Sequence, residues 1–186
     1  MTPQSWRHWI DRFQRADYTV LAPGWPGVDN RSVAEICKDP SALKGLTIKK
    51  IVDHCEEVIR GLDTPPIIMG HSFGGLFVQL LLSRGLGSAG IAVSAAGPAG
   101  VNGFTLSTIK SIFPVLINPF DFDGIIPLSP GQFHYVFTNE LDKTESEKVY
   151  REDHIPGSAH VLWQGAMAGL HKSGDAEVRC GIEHIQ

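Results

Sequence analysis

Cysteine is scarce in this 186-residue chain: Cys37, Cys55 and Cys180 are the only three, with neither Cys-x-x-Cys nor Cys/His ligand spacing. An odd, scattered set reads as ordinary reduced thiols and implies neither a disulfide nor a metal site. Long apolar runs are also missing. No stretch approaches the roughly 20 residues of a membrane span, and the amino terminus has neither the basic nor the apolar region of a secretory signal. A cytoplasmic protein without membrane association is expected. Basic charge is in short supply as well: 16 Lys and Arg against 20 Asp and Glu leave a net charge of −4, and no run of basic residues occurs. Nothing here offers an electrostatic footprint for nucleic acid or an anionic membrane.

What is present suits a globular protein. At 42% hydrophobic the chain can bury one sizeable core, so a single domain is the default. Thr2 can cap a helix, Pro3 suits its first position, and Trp6, Trp9, Ile10 and Phe13 fall at i, i+3, i+4 and i+7, predicting an opening helix. Tyr18-Thr19-Val20-Leu21-Ala22 reads as a strand running into the turn-rich Pro23-Gly24-Trp25-Pro26-Gly27. From Ile48, apolar positions 51, 52, 55, 58, 59 and 62 trace one helical face. Ile67-Ile68-Met69 behind Pro65-Pro66 predicts a central strand buried on both faces. Leu76, Phe77, Leu80 and Leu81 return to helical spacing, with Gly85 and Gly87 as stops. Ile91 to Ala95 reads as another buried strand, closed by Gly97-Pro98. Such alternation predicts an α/β protein with a parallel sheet covered on both sides and ligands beyond the carboxyl ends of its strands. Ser72, Trp25 and the Ala95-Ala96-Gly97 turn are expected at those ends.

After Gly103 the pattern changes to short helices without a clear strand. They are Thr105 to Ile112, a segment opened by the capping box Ser129-Pro130-Gly131-Gln132, another beginning near Asp142, and Ala159 to Leu170. Pro114, Pro119, Pro127 and Pro156 punctuate them. A helical insertion after a sheet strand is most economically a lid over a pocket. Of its aromatic residues, Phe113, Phe120, Phe122, Phe133, Tyr135 and Phe137, most are read as core packing and some as the lining of an apolar site.

The stretch Gly70-His71-Ser72-Phe73-Gly74-Gly75 joins the predicted strand to the predicted helix. The chain must reverse within about two residues of Ser72, and Gly70, Gly74 and Gly75 permit the close approach this demands. Gly-x-Ser-x-Gly in a strand-turn-helix is the nucleophile elbow, which pushes the serine hydroxyl out over the end of the sheet. A hydroxyl becomes a nucleophile when a base takes its proton, and the carbonyl it attacks needs donors for the developing oxyanion. Ser72 is therefore the candidate catalytic nucleophile and the Phe73 amide a candidate oxyanion donor. The competing reading is a glycine-rich turn with an idle serine. The bare string is a weak signal; its context carries the weight.

With "GHSFGG" as the most specific motif, supported by the order of helix, "VLAPGWPG" loop, amphipathic helix, elbow and helical segments, Thr2 to about Ser173 resembles the α/β-hydrolase family. The resemblance implies a partial α/β-hydrolase fold, with a parallel sheet, flanking helices and a helical cap, lacking the first and last strands. It divides the chain into a core with the elbow at 1–103, a cap at 104–170 and a tail at 171–186. It implies serine-dependent hydrolysis of a carboxylic ester, lactone or related small acyl substrate through an acyl-serine, with no cofactor and no metal. Serine at the elbow counts against the dehalogenase members, which use Asp.

Family members also carry a His-Gly segment before the first helix, and an acid and then a histidine on strands after the cap. Met1 stands where the first should finish, and "HKSGDAEVRCGIEHIQ" ends where those strands should start, so a chain truncated at both ends is expected. His71, His134, His154, His160, His171, His184, Asp121, Asp123, Asp142, Asp153 and Asp175 are the internal candidates for base and acid. All are read as ordinary surface, helix-flank or pocket residues, and neither role is assigned. The alternatives are an inactive remnant that binds a small apolar ligand or a partner protein, and acyl transfer or perhydrolysis at the same elbow. Substrate identity and oligomeric state are left open.

Overall fold

The computed structural model of the chain describes residues 2–101, 123–168 and 174–178. In chain order they form a short 3₁₀ turn (Pro3–Trp6), α1 (Arg7–Gln14), α2 (Val33–Lys38), a second 3₁₀ turn (Ser41–Leu43) and α3 (Ile48–Arg60). Next come β1 (Ile67–His71), α4 (Phe73–Ser83), β2 (Ala89–Val93), β3 (Ile125–Ile126), α5 (Pro130–Phe137), α6 (Lys143–Asp153), β4 (Gly157–Ser158) and α7 (Ala159–Ala168). The chain divides into two compact units, Met1–Gly45 with Ser107–Ala159, and Leu46–Leu106 with His160–Gln186.

The second unit contains the predicted strand-helix-strand. β1 and β2 pair in parallel, from Ile67 opposite Ala89 to His71 opposite Val93. α4 covers one face of the pair, since a methyl placed on Gly90 would strike Val78 and Leu82 of that helix. Ile68, Gly70 and Ala92 share that face by the period-2 rule and register. α3 packs on α4, burying Ile48, Ile51, Val52, Leu76, Leu80 and Leu81 to 4% exposure or less. Thr47 caps α3 by accepting the Lys50 N–H at 3.1 Å. Gly85 and Gly87 end α4 and turn the chain into β2 with φ of +72° and +81°, conformations open to glycine.

The other face of the pair corrects the sequence reading. β1 and β2 were expected to be buried on both sides, yet Ile67 is 56% and Ile91 45% exposed, and every residue of β2 is exposed. A continuous apolar run reports only that burial on both faces is possible. Among the described residues α4 is the helix that packs on the pair, and it covers one face.

In the first unit, Pro3 opens the 3₁₀ turn that leads into α1, but the Thr2 hydroxyl makes no capping bond. α1 buries no residue, and Trp9 is half exposed although it stacks on Phe13 at 5.9 Å. Tyr18 to Ala22, expected as a strand, is irregular, with Tyr18 and Leu21 58% and 59% exposed. β-propensity acts through pairing, and no strand among the described residues pairs with this segment.

The predicted capping box at Ser129 is complete. Its hydroxyl accepts the Gln132 N–H, and the Gln132 side chain accepts the Ser129 N–H. Asp142 likewise caps α6. Phe133 of α5 is fully buried, edge-on to Tyr150 and His154. Arg7 is bonded to Asp153 at 2.8 Å and to Glu152 at 3.0 Å. The region expected to lack strands holds the antiparallel pair β3 and β4, two residues each and too short to leave a periodic signal. The helix predicted over Thr105 to Ile112 lies outside the described residues.

Candidate functional site

β1 ends at His71 and α4 begins at Phe73, so a single residue, Ser72, makes the junction. Its φ of 56° and ψ of −118° fall where an L-residue is strained, at a cost of about 1–3 kcal/mol. Main-chain bonds hold it there. Ser72 N–H donates to Val93 O at 3.0 Å, and Ser72 O accepts from Ala96 N at 2.9 Å and Gly75 N at 3.0 Å. The turn after β2 is therefore stitched to the junction from both sides.

Close approach explains two of the three glycines. A methyl on Gly70 would collide with the Gly74 carbonyl and lie 2.9 Å from Gly75 N. One on Gly75 would lie 2.7 Å from Ala95 Cβ. Gly74 differs from the sequence expectation, because a methyl there would meet nothing within 4 Å. Sterics thus require glycine at 70 and 75 but not at 74.

The Ser72 side chain is half-buried and makes no capping bond to α4. A hydroxyl in this position normally caps its helix; the left-handed backbone turns this one away from the task. Among the described residues, the first amides of α4, Phe73 N–H and Gly74 N–H, have no acceptor. Unpaired donors at a helix start carry partial positive charge and favour an anion. The Phe73 ring rests against Gly165 of α7, where any larger residue would overlap it.

The other candidates are dispersed. His71 ends β1 and is exposed. His154, in the first unit, is buried and stacked on Tyr150 at 4.5 Å; burial drives its pKa down to about 4. Asp153 is held by Arg7, and Asp142 is spent on its helix cap. Asp175 accepts from Gln164 at 2.7 Å. His134 lies on α5 and His160 on α7, while His171, His184 and Asp121 lie outside the described residues. Among the described residues no bond links any of these side chains to Ser72. Trp25 was expected at a strand end; the segment that precedes it is irregular and not a strand.

Sequence reasoning missed Gln164. Its Oε1 accepts the Ile48 N–H at 2.7 Å while its Nε2 holds Asp175, and a single mid-helix glutamine gives no warning of either. Beside it lies a cavity of about 190 Å³, lined by Ala99, Gln164, Met167, Ala168, Gly174, Asp175 and Ala176. A second hollow, of about 260 Å³, is bordered by Pro65, Leu86 and Gly87 at the amino-terminal ends of the strands, away from Ser72.

Among the described residues no cluster of His, Cys, Asp and Glu could hold a metal ion, and no helix is long and apolar enough to cross a membrane. No curated protein matches the chain. A model of the alpha/beta hydrolase family matches residues 1–178.

Proposed function

The chain belongs to the alpha/beta hydrolase family, with its hydrolase-type function, and from that premise we propose that it is a serine hydrolase of a small carboxylic ester, lactone or related acyl compound. Ser72 Oγ attacks the acyl carbonyl, the alcohol leaves, and water releases the acid from the acyl-serine. The Phe73 N–H faces the oxygen that becomes negative in the tetrahedral state, where a fixed donor is worth most. The observation that carries this reading is the backbone of Ser72, held at φ 56° and ψ −118° between strand and helix. Strain of this kind persists where the surroundings enforce it and clusters at functional sites.

The proposal takes neither base nor acid from this chain. Without a histidine to accept its proton, a serine of this kind retains only the modest catalysis of the oxyanion hole and binding, so turnover by residues 1–186 should be slow. The same elbow serves acyl transfer or perhydrolysis when an alcohol or peroxide replaces water. A cytoplasmic location goes with this reading.

Exposure of Ile67, Ile91 and Val93 on one face of the β1–β2 pair favours a second reading, in which the chain is catalytically inert and binds a partner through that face. Incubation with p-nitrophenyl acetate separates the two. The hydrolase reading expects intact-mass spectra to show one added acetyl group in the wild type and none in Ser72→Ala. Acetylation to the same extent in both proteins would remove Ser72 from the reaction.

A further inference from the structure

Two helices of the second unit begin with an amide that their own turns cannot satisfy, and the two amides have different fates. Ile48 N–H, first in α3, donates at 2.7 Å to Gln164 Oε1, a side chain brought in from α7. Phe73 N–H, first in α4, has no acceptor among the described residues. One helix start is closed and the other stays open.

Gln164 is held at both ends of its amide. Its Nε2 donates to Asp175 at 2.7 Å. An N–H needs an oxygen and a carboxylate needs a donor, so the two partners leave the group a single orientation. α7 is thereby joined to the start of α3, where Ile48 is fully buried, and to residues 174–178. Further along α7, Ala168 O accepts Gly100 N at 2.9 Å, and Ala176 O accepts Ala99 N at the same distance. Both donors belong to the turn after β2, whose Ala96 N–H holds Ser72 O.

Gly165 lies between these two anchors, Gln164 and Ala168, and the Phe73 ring rests on it: a Cβ there would overlap Cε1 and Cζ of the ring. The Phe73 N–H makes no bond of its own, so its direction depends on Ser72 and on its own ring. Ser72 is in a strained conformation that persists only where the surroundings enforce it. Rotating the Ser72–Phe73 peptide plane would lift the ring off Gly165. A fixed α7 therefore keeps the N–H pointing one way, and a donor that cannot reorient is the kind that stabilises a developing oxyanion.

Resting on the serine-hydrolase reading above, we infer that Gln164 is a positioning residue for the oxyanion donor: through Gly165 and the Phe73 ring it keeps the Phe73 N–H aimed at the acyl oxygen. It touches no reacting atom. Its two bonds fix the helix on which the ring is seated.

The experiment compares p-nitrophenyl acetate with its thiono analogue, in which sulfur replaces the carbonyl oxygen and accepts hydrogen bonds weakly. Acylation of Ser72 Oγ breaks the bond to the leaving group, releases p-nitrophenolate and passes the hydroxyl proton to buffer. The rate is read on the full chain as p-nitrophenolate release, with that of Ser72→Ala subtracted, well below each variant's thermal midpoint. Gln164→Glu keeps an oxygen for Ile48 N–H but sets a second carboxylate against Asp175. It should slow the acetate about tenfold, part of the loss from removing a donor outright, and the thiono ester by less than about twofold. Gln164→Glu with Asp175→Asn reverses the direction of the hydrogen bond and should return both rates to within about twofold of wild type. Should Gln164→Glu not fold, Asp175→Ala at the exposed partner gives the same readout, with the same selective loss of the acetate rate expected.

A merely structural role would lower both rates together, because loss of folded protein is blind to the atom at the carbonyl. Equal losses with the two esters, no loss with either, or a double variant no faster than the single one overturns the inference and leaves Ser72 as nucleophile. Release that is the same in wild type and Ser72→Ala overturns the hydrolase reading, and the role of Gln164 with it.

Discussion

Replacing Gly70 and, separately, Gly74 with alanine should move stability in opposite directions, although both lie in one six-residue stretch. The three atoms nearest to a methyl on Gly70 are all main-chain, the Gly74 carbonyl carbon and oxygen and, at 2.9 Å, Gly75 N. Backbone cannot swing aside as a side chain can, so β1 and α4 would have to separate or the Ser72 junction would have to open. Overpacking costs about 1–3 kcal/mol, occasionally more, and rigid opponents put Gly70→Ala at the upper end, about 3 kcal/mol. A methyl on Gly74 meets nothing within 4 Å. Because Gly74 is a helical residue of α4, alanine there should stabilise by about 0.5–1 kcal/mol. At this chain length 1 kcal/mol moves the midpoint by about 2–4 °C. Thermal melts followed by circular dichroism should therefore show Gly70→Ala about 6–12 °C below wild type and Gly74→Ala about 1–4 °C above it. A Gly70→Ala protein melting with the wild type, or two shifts of the same sign, would refute the packing described for the junction.

Three further outcomes follow from the same geometry. Ser72 sits at φ 56°, so Ser72→Gly should be more stable than Ser72→Ala by about 1 kcal/mol in urea unfolding, and equal midpoints would mean that the junction is unstrained. Burial holds His154 near pKa 4 against an ordinary 6.5, so between those values the unfolded chain binds the proton and the folded one does not. Stability should fall as pH drops from 6.5 to 4, by at most about 3 kcal/mol. His154→Phe, which keeps the stacking, should lose that share of the pH dependence; an unchanged difference between pH 7 and pH 4.5 would argue against it. Finally, Gly165→Ala must displace the Phe73 ring, and trimming that ring with Phe73→Leu should recover stability. A double-mutant coupling of at least about 0.5 kcal/mol is expected, and additivity would contradict the contact.

The junction and its neighbours were legible in the sequence because each is specified locally. Ser129 and Asp142 bond to amides three residues ahead, and the α3 face repeats with the helical period. Ser32-Val33-Ala34-Glu35 carries the same signature, and Ser32 and Glu35 do form a capping box at α2; that signal was available and not used. The misreadings share one cause. Tyr18 to Ala22 and β2 have the composition of buried strands, but strand formation and burial depend on neighbours that are remote in sequence, which propensity does not encode. Gln164 shows the same limit, because its partners Ile48 and Asp175 are joined only by the fold. Gly74 shows another: a motif marks which residues occur together, while coordinates distinguish the glycine that is obligatory from the one that is not.

Trypsin, cutting after Arg60 and Arg84, releases residues 61–84 as one peptide containing Ser72. Mass mapping of the chain after treatment with a fluorophosphonate tests whether the hydroxyl presented at the β1–α4 junction is the reactive group. The account predicts phosphonylation in that peptide, localised to Ser72 and abolished in Ser72→Ala. Modification of another residue, or equal modification of the mutant, would contradict it.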